Sequence, residues 1–212
     1  GSDTHELDEA VQAVKAQGRN GTSIQANLIK LADVRNAVEQ SVAQLGGLSI
    51  LVNNTQVEFG KPFSDTTEAE FDQLLALNTK SLFLCCQEAG KHMRQNGKGR
   101  IVNIISGLAE RGMWNSVAYC ATQGAALQIT RALSLEWGRQ DIRVNAIGTG
   151  FYTVEEIPPE QAKQDKLARY IPSRRRGHPR DMAGVLVFLS SDICGYIAGN
   201  CVYVDRGLMS HP

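Results

Sequence analysis

The sequence predicts an α/β protein: a parallel β-sheet with helices packed on both of its faces. Three observations lead there. Short apolar runs bounded by small or polar residues alternate with longer stretches whose apolar residues recur at helical spacing. Strands that alternate with helices in this way build parallel sheets by crossover connections. The 212 residues show no linker, repeat or low-complexity segment, so residues 1–212 read as a single domain with room for a sizeable core.

The elements follow in order. From His5 to Gln17, the residues Leu7, Ala10, Val11 and Val14 share one helical face. In "TSIQANL", Ile24, Ala26 and Leu28 alternate with polar residues, a strand period. Asp33 to Gln44 is helical again, and "LSILVNN" is a short apolar run that ends in two asparagines. Thr67-x-x-Glu70 reads as a capping box that opens a helix. A long apolar helix runs from Leu75 to Asn96, and "GRIVNIIS" is a buried strand. Trp114 to Arg139 is a second long helix. "IRVNAIG" is a strand, Arg180 to Ser190 a helix, and "NCVYVD" a last strand.

In such sheets ligands bind beyond the carboxyl ends of the strands. Asn53-Asn54-Thr55, Ser106-Gly107 and Gly148-Thr149-Gly150 are all strand ends, and they should converge on one edge with Tyr119 close behind Ser106. Each alone reads as an ordinary turn; together they read as a site. Met113, Trp114, Phe151 and Tyr152 are divided evenly between pocket lining and packing. The run Arg174-Arg175-Arg176 with Arg180 reads as a solvated turn before a helix rather than a phosphate site.

Composition narrows the function classes. Lys+Arg and Asp+Glu are equal at 22 each, so the balance gives no electrostatic reason to expect nucleic acid or an anionic membrane. No apolar run is long enough to span a bilayer, and the first residues do not resemble a signal peptide. The five cysteines, Cys85, Cys86, Cys120, Cys194 and Cys201, lack the spacing of a disulfide framework and read as reduced thiols of a cytoplasmic protein. His5, His92, His178 and His211 are scattered, so no metal site is expected.

Several motifs together resemble the short-chain dehydrogenase/reductase family, along essentially the whole chain. "LVNNTQ" is similar to the family's Asn-Asn-Ala-Gly strand end. "IVNIIS" ending in Ser106, then Tyr119, matches the serine-to-tyrosine spacing, and Asn78 in "LNTKSLF" matches the helix asparagine. "IRVNAIGTGF" resembles the strand and Pro-Gly turn that follow, and "IPSRRRGHPRDMAGVLVFLSSDICGYIAGNCVYVDRG" resembles the C-terminal third. The resemblance implies a Rossmann-like fold that binds NAD or NADP and transfers hydride to or from a small carbonyl or secondary alcohol. It implies Tyr119 as proton donor or acceptor, Ser106 as holder of the substrate oxygen, and Asn78 as the residue that fixes a water. Gln123 stands in the place of the lysine that anchors the ribose. Cofactor contacts are implied at Asn27, Asn54, Thr55, Tyr119, Gln123, Gly150 and Tyr152. The two long helices correspond to subunit-packing helices, which implies a homo-oligomer, a dimer or tetramer.

The chain also departs from the family pattern. The Gly-x-x-x-Gly-x-Gly turn is missing from the sequence, so the first two strands of the family fold are expected to be absent. That turn cradles the pyrophosphate, and a lost central strand would leave backbone groups unpaired. Asn-Asn-Ala-Gly has become Asn53-Asn54-Thr55-Gln56, Asn27 replaces an aspartate, Thr149-Gly150 replaces Pro-Gly, and "VDRG" replaces Val-Asp-Gly-Gly. These changes weaken the case for cofactor binding. Gln123 carries no charge, so it cannot lower the phenol's pKa from about 10; each pKa unit forgone is about 1.4 kcal/mol, tenfold in phenolate. Alcohol oxidation near neutral pH should be poor and carbonyl reduction less affected, because there Tyr119 acts as a neutral acid. Gln123 is still able to hydrogen-bond a ribose hydroxyl. Two further readings are a cofactor-free Ser/Tyr enzyme, as in the halohydrin dehalogenases of the same fold, and a catalytically inactive oligomer subunit.

Overall fold

The computed structural model describes residues 4–155, 157–158, 161 and 164–210. Its sheet has four parallel strands in the order β1 (Ile50–Asn53), β2 (Gly99–Ser106), β3 (Ile142–Thr149) and β4 (Cys201–Val204). The helices are α1 (Thr4–Ala16), α2 (Leu31–Leu45), α3 (Glu68–Leu75), α4 (Ser81–Asn96), α5 (Val117–Trp137) and α6 (Arg180–Ser190). Each strand is thus linked to the next by a helical crossover, as the alternating pattern requires.

The core lies on both faces of β2 and β3. On one face Ile101, Ile105, Val144 and Ala146 pack against Leu82, Cys86, Ala89 and Met93 of α4 and Ala126 and Leu127 of α5. On the other, Val102, Ile104 and Ile147 meet Leu189, with Met182, Val185 and Leu186 of α6 around them. β2 and β3 are buried at every residue, which is why both read as continuous apolar runs. Trp137 closes the first face by lying on Gly90, where a Cβ would come within 2.5 Å of its ring.

Local signals set the helix ends. Thr67 and Glu70 form both bonds of the capping box that opens α3. Gly97 ends α4 with φ +67, the left-handed conformation glycine adopts without a Cβ clash. Between α3 and α4 the chain stays helical but widens into a π-turn, Ala76–Lys80, that holds Asn78.

One expected strand does not form. Ile24, Ala26 and Leu28 are half-buried while Ser23, Gln25 and Asn27 are exposed, so the alternation is real. Yet the segment joins no ladder, because no described strand lies beside it to accept its backbone bonds. The outer edge of β1 likewise has no ladder partner among the described residues, and Ile50 and Val52 there are 45% and 38% exposed.

Buried amides stitch β1 to the centre. Asn53 Nδ2 donates to Asn103 Oδ1 (2.8 Å), and Asn103 Nδ2 donates to Thr130 Oγ1 on α5 (2.9 Å). The five thiols are free, with Cys86 and Cys194 fully buried, and burial pushes the Cys86 thiol up to about 12. No helix among the described residues is long and apolar enough to cross a membrane. His211 lies outside the described residues.

Candidate active site

Parallel pairing of β2 with β3 sets Ser106 beside Thr149 at the carboxyl end of the sheet. Beyond them opens a cleft of about 380 Å³. Ser106 and Gly150 form part of its floor, Met113, Trp114 and Phe151 part of its walls, and Leu208 and Met209 approach from the C-terminal segment. Met113, Trp114 and Phe151 are therefore pocket residues rather than packing. Tyr152 faces a second cleft on the far side of Gly150, and its hydroxyl donates to the Val204 carbonyl (2.7 Å).

Tyr119 lies in the first turn of α5, 5% exposed. Its hydroxyl donates to Gln56 Oε1 (3.2 Å). Burial, reinforced by the negative charge of Glu58, pushes the phenol up to about 12, and the Ser106 hydroxyl acts in the opposite direction. Tyr119 is thus a neutral acid at physiological pH. The Ser106 hydroxyl accepts from the Leu108 backbone N–H (3.2 Å) as the N-cap of the short turn Gly107–Ala109.

Gln123 follows Tyr119 by one helical turn, which places both on the same face of α5. The residue is 2% exposed, and its Oε1 accepts from the backbone N–H of Ser106 (2.8 Å). The family's lysine position is therefore turned inward, onto the strand end that carries the serine.

Asn78 is 3% exposed. Its Oδ1 accepts from Val57 N–H (2.7 Å), and its Nδ2 donates to the Val57 carbonyl (2.9 Å) and to Thr122 Oγ1 (3.2 Å). The π-turn aims this side chain across the loop after β1, and π-turns often occur at functional sites. Asn78 so fixes the loop that presses Gln56 onto Tyr119. Asn54 and Thr55 are exposed at the end of β1. Asn27 is exposed in a turn, where its Oδ1 accepts from Ile29 N–H (3.2 Å), and it lines neither cleft.

Two residues gain a place at the site that sequence reasoning did not give them. Gln56 enters the sequence reading only as a departure from the Asn-Asn-Ala-Gly strand end, and it is the partner of Tyr119. Arg111 has no role in the sequence reading, and among the described residues it is the one charged side chain lining the Ser106 cleft. No spacing rule flags either, because both reach the site from loops. The arginine run, expected as a solvated turn, is instead spent on internal partners. Arg175 pairs with Asp181 (2.8 Å), Arg176 with Asp165 (2.5 Å), and Arg174 donates to the Arg169 carbonyl.

A nicotinamide cofactor fits this edge in part. Exposed Asn54 and Thr55, and Ser106 and Gly150 on the cleft floor, present polar and glycine backbone groups beyond the strand ends, where such cofactors lie. At position 123 the amide oxygen is taken by the Ser106 N–H, which leaves the Nε2 donor for a ribose hydroxyl.

A parallel sheet covered on both faces, with a serine and a buried tyrosine at its carboxyl edge and an asparagine in a π-turn behind them, defines a Rossmann-like oxidoreductase. The chain belongs to the short-chain dehydrogenase/reductase family: residues 2–209 match the family described as enoyl-(acyl carrier protein) reductase. It is 31% identical over 209 residues to the 2-dehydro-3-deoxy-D-gluconate 5-dehydrogenase of Escherichia coli (strain K12), covering 97% of this chain and 83% of that one. It is 29% identical over 203 residues to the 5-keto-D-gluconate 5-reductase of the same strain, covering 94% and 80%. Among solved structures it superposes on the acetoin dehydrogenase from Enterobacter cloacae with a TM-score of 0.89 and 28% identity, covering 100% of this chain and 84% of that one.

Proposed function

We propose that this oxidoreductase acts chiefly as a carbonyl reductase, with Tyr119 as the proton donor. The observation that carries the reading is the Tyr119–Ser106–Gln123 arrangement. A tyrosine raised to about 12 holds its proton near neutrality, and the residue one turn later supplies no charge and is spent on the Ser106 N–H. Reduction needs the neutral phenol; oxidation needs the phenolate, which this environment disfavours.

In the forward step Ser106 Oγ donates a hydrogen bond to the substrate carbonyl and orients it. A bound reduced NAD or NADP supplies the hydride. Tyr119 Oη gives its proton to the carbonyl oxygen, forming the alcohol and leaving a phenolate. Gln56, held by the Asn78-fixed loop, lies within reach of that oxygen and holds the ring in place. Asn54, Thr55 and Gly150 are the described residues at the strand ends available to the cofactor; Asn27 and Tyr152 are assigned to it on family resemblance alone. Cofactor affinity is measured directly, by titrating the reduced dinucleotide into the protein.

The test is direction at pH 7. Acetoin should be reduced at a rate well above that for oxidation of the matching diol. Equal rates in both directions would overturn the assignment of Tyr119 as a neutral acid. Apolar residues left exposed on α4 and α5, namely Phe83, Val117 and Leu135, support a homo-oligomer packed through these helices, which light scattering checks. The free cysteines fit a reducing compartment such as the cytoplasm.

A further inference from the structure

Among the described residues that line the Ser106 cleft one side chain is charged, and that charge is positive. Arg111 follows the short turn Gly107–Ala109 and lines the same wall. It is half-buried, and its Nη1 donates to the Leu208 carbonyl (2.8 Å), which fixes the guanidinium against the C-terminal segment. The Cys120 thiol meets the Arg111 carbonyl at 3.7 Å, tying the backbone of this loop to the helix that carries Tyr119. Among the described residues the guanidinium has no carboxylate partner.

That is unusual company for an arginine here. Other partly or fully buried arginines are paired: Arg176 with Asp165, and Arg100 and Arg143 with Asp192. The remaining lining of the Ser106 cleft is glycine, apolar or aromatic side chains and the hydroxyls of Thr149 and Tyr170. A cation among such walls is poorly solvated, and it attracts an anion more strongly than it would in open water. A guanidinium is suited to a carboxylate, which it grips through two parallel N–H donors.

We propose that Arg111 is a specificity-determining residue that binds the carboxylate of a keto acid or hydroxy acid substrate whose reacting carbon lies at Ser106. The inference rests on the carbonyl-reductase reading above and narrows its substrate class. Two relatives are named for acids of the gluconate type and one structural neighbour for acetoin, which is uncharged. Arg111 is the feature of this cleft that distinguishes the two kinds of substrate.

The experiment compares 5-keto-D-gluconate with acetoin, in wild type, Arg111→Gln and Arg111→Lys. Binding is measured by calorimetry without added cofactor, and by the fluorescence of Trp114, which is 92% exposed at the cleft mouth; reduction is measured alongside. Loss of one charge-assisted contact should weaken 5-keto-D-gluconate about 10- to 100-fold in Kd and in kcat/KM for Arg111→Gln. Arg111→Lys should recover part of that loss. Acetoin reduction should stay within about threefold of wild type in both variants, since no contact made in its transition state is removed. Glutamine retains a donor for the Leu208 carbonyl, and equal acetoin rates certify that the variant is folded. An equal loss for both substrates, or no loss for either, would overturn the role of Arg111. If wild type reduces acetoin but neither binds nor reduces 5-keto-D-gluconate, the acid-substrate inference falls while the reductase reading stands. If wild type reduces neither and binds neither, both fall.

Discussion

The two ends of β2 and β3 carry similar residues and do opposite things. At the amino ends Arg100 and Arg143 are 4% and 6% exposed, and both turn toward Asp192. Arg100 Nη2 lies 2.9 Å and Arg143 Nη2 3.6 Å from its Oδ1, while Lys98 Nζ lies 3.0 Å from Oδ2. The Asp141 and Ser191 carbonyls accept further bonds from the two guanidinia. At the carboxyl ends Ser106 and Arg111 line an open cleft, Tyr119 lies against Ser106, and the arginine has no carboxylate partner among the described residues. At one end the chain pairs the charges itself, though the buried Nε atoms of Arg100 and Arg143 have no partner among the described residues; at the other, an unpaired charge is left for a ligand. Identity of residue type therefore says little about role. What separates structure from function here is whether the chain has already neutralised the charge.

The sharpest way to break the comparison is at Tyr119. Tyr119→Phe removes the acid but keeps the ring, so carbonyl reduction should fall about 10²- to 10⁴-fold with little change in melting temperature. A turnover assay with paired thermal melts checks both halves. A drop in stability without loss of turnover would assign Tyr119 to the structural side.

Alkaline titration probes the same residue through stability. Its folded pKa, about 12, lies above the ordinary value of 10.0, so the folded state holds the proton more tightly than the unfolded chain. The resulting contribution, on the order of 2–3 kcal/mol, is complete below about pH 10 and is lost as pH rises through about 12. Tyr152 is pushed up to about 12 and Tyr203 higher still, both mainly by burial, so they act in the same direction. Denaturant melts between pH 9 and about 12 should show the decline, smaller in Tyr119→Phe.

Restoring the family lysine is a finer test. Gln123→Lys takes away the acceptor of the Ser106 N–H and puts a cation in a site 2% exposed. An orphaned buried donor costs about 1–3 kcal/mol. Stability should drop by that order, and reduction should not improve, because the serine loses its anchor. Faster turnover with unchanged stability would show that the glutamine–serine bond is dispensable.

The smallest expected effect lies at the amino ends. Asp192→Asn leaves Arg100 and Arg143 without their shared carboxylate, so the melting temperature should fall while kcat for acetoin stays at the wild-type value. A change in kcat with no change in melting temperature would erase the distinction between the two ends.

Much of this was legible in the residues. The strand "GRIVNIIS" spans Gly99–Ser106 as expected, and the helix Arg180–Ser190 is found with the same bounds. The box Thr67–Glu70 caps α3 with both of its bonds. These signals are local: period, capping chemistry and turn residues act within a few positions of each other. The segment "TSIQANL" kept its alternation but not its pairing, because a strand is defined by a neighbour as well as by its own period.

By itself, the sequence determined the alternation of strands and helices, the parallel sheet, and the convergence of Ser106 and Tyr119 on one edge. These depend on hydrophobic period and on connections that run in one direction. Only the tertiary structure decided that Gln123 turns to the Ser106 backbone, that Gln56 meets the Tyr119 hydroxyl, and that Arg111 lines the cleft with no carboxylate partner among the described residues. Each of those outcomes is a competition among several polar partners drawn from distant segments. Which partner wins is set by the positions that packing gives them, and no spacing along the chain encodes those positions.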